Sequence, residues 1–119
     1  GLLEHPERAL PGADKASAAD AKFTGYFFNP ENPKGLAKGH AFSSHLGYNV
    51  ENWQIMRDEI LEAAKMYPVT YRSSSIYGKL YSQLVILQGV NNKPANVLLG
   101  WIVKPDGSTW LTTAHMEEF

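Results

Sequence analysis

The chain has 119 residues, 44% hydrophobic and 12% aromatic, enough to bury one core of ordinary domain size. Eleven basic residues against twelve acidic ones leave a net charge of −1, which gives no general pull towards nucleic-acid phosphates, although residues 21–48 hold three lysines against one glutamate. No apolar run suits a membrane span and no basic-then-apolar leader suits a cleaved signal, so the chain reads as soluble; without cysteine it has neither disulfides nor thiolate chemistry, and redox use does not mark its compartment.

Residues 1–21 mix prolines, alanines and alternating charges without an apolar period, and are expected to form a linker or loosely docked arm ahead of a domain over 22–119. Aromatics then begin abruptly at Phe23, Tyr26, Phe27 and Phe28, followed by the turn-forming pairs Asn29-Pro30 and Asn32-Pro33. Residues 34–46 read as a helix, with Phe42 and Leu46 on one stripe and Gly47 suited to its C-terminal cap. Asn49 is expected to cap a second helix, in which Val50, Trp53, Met56, Ile60, Leu61 and Ala64 recur at the helical period before Pro68.

From Val69 the pattern changes to strands at about 69–73, 79–88, 95–103 and 109–116, rich in Val, Ile, Tyr, Trp and Thr. Residues 89–94 form a loop by composition. Lys104-Pro105-Asp106-Gly107 is a turn, because proline fixes φ and glycine accepts positive φ, so the last two strands should make a hairpin. Short links imply antiparallel order, and helices followed by consecutive strands predict an α+β fold, with N-terminal helices on a four- to five-stranded antiparallel sheet.

No Gly-rich phosphate loop, HExxH, G-x-S-x-G or dense carboxylate cluster is present, so neither a metal nor a cofactor is expected. What remains is a small set of His, Lys, Thr and Tyr side chains, the repertoire of metal-independent RNA cleavage. That reaction needs a base for the 2′-hydroxyl, an acid for the leaving 5′ oxygen, and donors on the phosphate. One candidate is the segment Lys34 to His40, where an imidazole stands beside Lys34 and Lys38 near a helix start; the same residues also fit a solvated helix surface. On an ideal helix Lys38 and His40 lie about 160° apart, so they meet one substrate only if Gly39 interrupts the helix. The other candidate is the last strand, where regular alternation puts Thr113 and His115 on one face and Thr112 on the other with Trp110 and Ala114; it also fits a half-buried strand with its polar side to water. His45, beside Phe42 and Leu46, reads as a histidine at the edge of the core.

The segment from Phe23 to Gly35, then Lys38, Phe42, Leu46-Gly47-Tyr48, Gly100 to Val103 and Leu111 to Ala114, resembles a bacterial family found at the C-termini of large polymorphic toxins, including contact-dependent growth inhibition effectors. Locally, Lys38 to Ala41 with Leu46-Gly47 is similar to the lysine and histidine segment of colicin D and related transfer-RNA nucleases, which share the barnase, EndoU, colicin and RelE type of fold. The resemblance implies a ribonuclease toxin, secreted within a large effector, acting on RNA (transfer RNA) in the target-cell cytoplasm and blocked by a cognate immunity protein. Some related toxins also need a translation elongation factor. It assigns His40 as base, Lys38 as phosphate cation, Thr113 and His115 as phosphate contact and acid, and Lys34 and Thr112 as substrate contacts. The alternative is a non-catalytic module, such as an immunity or adaptor domain, using exposed tyrosines at a protein interface.

Overall fold

The computed structural model describes residues 9–20, 23–29, 31–91 and 93–116. After a π-helical turn at Phe23–Phe27, helix α1 spans Pro33–Ala41. Pro33 occupies the first helical position, where its missing N–H costs nothing, and Asn32 accepts the Gly35 N–H through Oδ1 at 3.2 Å. The helix continues as a π-helical turn, Phe42–Leu46, and stops at Gly47, which takes φ 82° and returns its N–H to the Ser43 carbonyl. This agrees with the expected helix over 34–46.

Helix α2 covers Trp53–Ala64, three residues later than Asn49 predicts. The asparagines explain the delay. Asn49 Oδ1 accepts the N–H groups of Glu51 at 2.8 Å and Asn52 at 3.1 Å, while Asn52 Oδ1 accepts the Asn49 N–H at 2.7 Å. Residues 49–52 are thereby held in a turn. Val50 consequently lies outside the helix and is 56% exposed instead of joining the apolar stripe.

Four strands follow, β1 (Thr70–Ser75), β2 (Gly78–Leu87), β3 (Ala95–Val103) and β4 (Thr109–Met116), paired antiparallel in the order β1-β2-β3-β4. The fold is therefore α+β, helices packed with a four-stranded antiparallel sheet. One sheet face presents Gln83, Val85, Leu87, Val97, Leu99, Trp101, Leu111 and Ala114, all buried; the apolar ones form a single core with Met56, Ile60, Ala63 and Ala64 of α2 and with Phe23, Phe27 and Phe42. Phe23 stacks on Trp53 with centroids 5.4 Å apart, and Phe27 meets Phe42 edge-on at the same distance. Gln83 is the polar tie: its Nε2 donates to the carbonyls of Tyr67 (2.7 Å) and Ala64 (3.2 Å), and its Oε1 accepts from Trp101 Nε1 (2.9 Å). The end of α2 is fastened to the sheet without an unpaired amide.

The described part of the N-terminal segment docks on β4. Ser17 bridges Trp110 in parallel, donating to the Thr109 carbonyl and accepting from the Leu111 N–H, both at 2.9 Å. Thr109 Oγ1 donates to the Pro11 carbonyl, and Leu10 is only 2% exposed. This contact covers the free edge of β4, an edge that proteins commonly protect. Residues 1–8, 21 and 22 of the expected arm and domain start lie outside the described residues. No described helix is long and apolar enough to cross a membrane.

Candidate active site

The face of the sheet that carries Leu80, Ser82, Leu84 and Ile86 alternates with the buried face and meets solvent. Ser82 pairs with Gly100, and Gly100 with Thr113, so a serine, a bare backbone and a threonine stand in one row across β2, β3 and β4. The absent side chain is what makes a depression there. A Cβ on Gly100 would come within 2.8 Å of Thr113 Cγ2 and 2.9 Å of Thr112 Oγ1, too close for either contact. The depression, about 210 Å³, is lined by Arg72, Ser82, Leu98, Thr112, Thr113 and His115.

Two β-bulges aim side chains into it. In β1, Tyr71 pairs with Tyr81 and Ser73 with Leu80, leaving Arg72 as the extra residue. In β4, Leu111 pairs with Trp101 and Thr113 with Gly100, leaving Thr112 as the extra residue. A bulge resets the two-residue alternation of a strand. Regular alternation had put Thr112 and Ala114 together, opposite Thr113 and His115; instead Ala114 turns into the core, fully buried, and Thr112 borders the same depression as Thr113 and His115. Arg72 donates from Nε to Ser82 Oγ at 2.8 Å, and among the described residues it has no carboxylate partner.

The α1 candidates sit elsewhere. The helix packs against β4, but His40 and Lys34 are exposed and neither lines the depression. Lys38 lies on the helix, and its side chain is outside the described part of the structure. Gly39 does not interrupt the helix. It serves close packing instead, since a Cβ there would collide with the Phe27 carbonyl oxygen. Positions 38 and 40 therefore lie about 160° apart around the backbone of an unbroken helix. His45 is exposed rather than at the core edge, and its carbonyl accepts from Asn91 Nδ2 at 2.6 Å.

A larger groove, about 490 Å³, runs between α2 and the end of β2, but Asp58, Glu59 and Glu62 line it and oppose a phosphodiester. Burial pushes the Glu59 carboxyl above its ordinary value, with the Gly89 and Gln88 N–H groups partly offsetting the rise. Among the described residues no three His, Asp or Glu side chains gather as metal ligands.

Over residues 9–118 the sequence matches the family described as a domain of unknown function, DUF6883. The chain belongs to that family. This DUF6883 domain is also similar in fold to a chain of a contact-dependent growth inhibition toxin and immunity protein complex from Klebsiella pneumoniae 342, with a TM-score of 0.68 over 92% of this chain and all of the other, at 14% identity. No curated protein matches the domain in sequence. Of its depression, sequence patterning singled out Thr112, Thr113 and His115 but passed over Arg72 and Ser82. The one available signal was an arginine isolated in the otherwise uncharged strand Thr70–Ser75.

Proposed function

We propose that this DUF6883 domain is the toxin portion of a contact-dependent growth inhibition effector and acts as a metal-independent endoribonuclease on transfer RNA in the target-cell cytoplasm. The observation that carries the reading is the Gly100 depression, which puts an imidazole, two threonine hydroxyls and an arginine on one open sheet face. The fold shared with a chain of a toxin and immunity protein complex supports the setting. In the reaction, a base takes the 2′-hydroxyl proton, the 2′ oxygen attacks phosphorus, the bond from phosphorus to the 5′ oxygen breaks, and an acid protonates that oxygen. The products are a 2′,3′-cyclic phosphate and a 5′-hydroxyl end. His115 supplies the acid, and Thr113 and Thr112 donate to the phosphate. The resemblance gives the base to His40, with Lys34 and Lys38 contacting neighbouring phosphates; because base and acid act on one phosphodiester, that assignment requires the phosphate to lie at the β4 edge where α1 packs, within reach of both histidines. A cognate immunity protein blocks the toxin in the producing cell, and an elongation factor that presents transfer RNA offsets the near-neutral charge of the chain.

The purified chain should cut total RNA equally well with and without excess EDTA; loss of cutting with EDTA and rescue by a divalent cation would remove the metal-free chemistry. The second reading, a non-catalytic immunity or adaptor domain, draws on the same fold likeness, because the neighbouring complex contains an immunity protein as well as a toxin. Expression without a partner separates the two: growth arrest supports the nuclease, and unaffected growth with full-length soluble product supports the module.

A further inference from the structure

We propose that Arg72, aimed by the β1 bulge and steadied by Ser82, forms with the Gly100 strip and Thr113 a seat for one phosphodiester group, and that Arg72 is the cation that meets the charge building on it. The inference rests on the ribonuclease reading for its catalytic half and on geometry alone for its binding half. Arg72 is the extra residue of a bulge, a device that re-aims a side chain out of regular alternation. Its guanidinium gives Nε to Ser82 Oγ at 2.8 Å, which fixes the plane of the fork while the terminal nitrogens remain to donate. No carboxylate neutralises it among the described residues, whereas elsewhere on the surface Arg57 pairs with Asp20 and Asp58, and Lys65 with Glu62. An arginine held by a neutral hydroxyl keeps its full charge for a ligand.

The floor of the seat is equally specific. Gly100 is the residue between Ser82 and Thr113, and any side chain there would meet Thr112 and Thr113. A bare strip in mid-sheet costs strand propensity and packing, and it lets a ligand come close to backbone. The second bulge, at Thr112, brings another hydroxyl to the same strip. Planar forks bind phosphate through two parallel bonds, whereas an ammonium offers a point charge, so the identity of the cation matters as well as its sign.

Two measurements test the seat separately. In the first, the isotopically labelled chain is titrated with inorganic phosphate against chloride at equal ionic strength. Saturating resonance shifts should gather at the Arg72 Nε–H and at the amides of Ser82, Gly100 and Thr113, and Arg72→Ala should weaken phosphate binding about 10- to 100-fold. In the second, RNA cleavage is followed for Arg72→Ala and Arg72→Lys. Alanine should lower kcat about 100- to 1,000-fold with a smaller change in KM, lysine should restore part of the loss, and both should melt like the parent. Shifts that gather elsewhere, or that survive Arg72→Ala unchanged, overturn the seat, as does cleavage by Arg72→Ala at the parental rate. Arg72-dependent phosphate binding in a chain that cuts no RNA keeps the seat and removes the ribonuclease reading.

Discussion

His115 and His40 carry unequal support. His115 borders a depression with the hydroxyls of Ser82, Thr112 and Thr113 and the Arg72 guanidinium, while His40 stands exposed on α1 with its carbonyl taken by Ser44 Oγ at 2.6 Å. Replacing His115 by alanine should cost about 100- to 10,000-fold in cleavage rate, the usual worth of one proton-transfer group, and only about 1 kcal/mol in stability. The same split between rate and melting temperature is expected for His40→Ala; a fully active His40→Ala would leave His115 as the one proton-transfer group and move the base elsewhere. Glu59 makes a different, structural prediction. Its carboxyl is raised by burial, so the folded chain holds that proton more tightly than the unfolded one. The stability it contributes is complete below the ordinary value of 4.5 and is lost as pH climbs through the raised folded value. Glu59→Gln should therefore be more stable than the parent at neutral pH, with the difference vanishing below about pH 4.5 in denaturant titrations. A constant difference across that range would show that packing, not ionisation, separates the two.

At the scale of elements, β3 and β4 were legible because alternation and the Lys104 to Gly107 turn are local signals, and the structure places them at 95–103 and 109–116 as expected. The bulges at Arg72 and Thr112 were not, since a bulge is a relation between two strands and register is absent from one strand's pattern. The start of α2 was misplaced for a related reason: Asn49 and Asn52 both suit a cap, and their mutual bonds decide between them. Gly39 shows how a local reading can invert a role. A glycine in mid-helix suggests weakness, yet here it admits the Phe27 carbonyl. Alanine would gain about 1 kcal/mol of helix propensity, but the collision should cost about 1–3 kcal/mol through displaced packing. Gly39→Ala should thus lower the melting temperature, and a rise would show that the two segments separate readily.

Across the described residues, helices and arm take one face and one edge of the sheet, and the candidate site lies on the other face. How the arm over 9–20 docks was not legible in the sequence, because Leu10 and Ala18 are buried without a period between them and Pro11 and Ser17 find their partners on a strand about a hundred residues away. Resemblance, rather than composition, pointed to RNA, as a net charge of −1 gives no such signal. The central claim is tested most directly by sequencing RNA ends in cells after brief induction of the chain and of its His115→Ala variant. The account predicts discrete new 5′-hydroxyl and 2′,3′-cyclic phosphate ends in transfer RNA with the parent and their loss with the variant; identical end profiles for parent, variant and uninduced cells would contradict it.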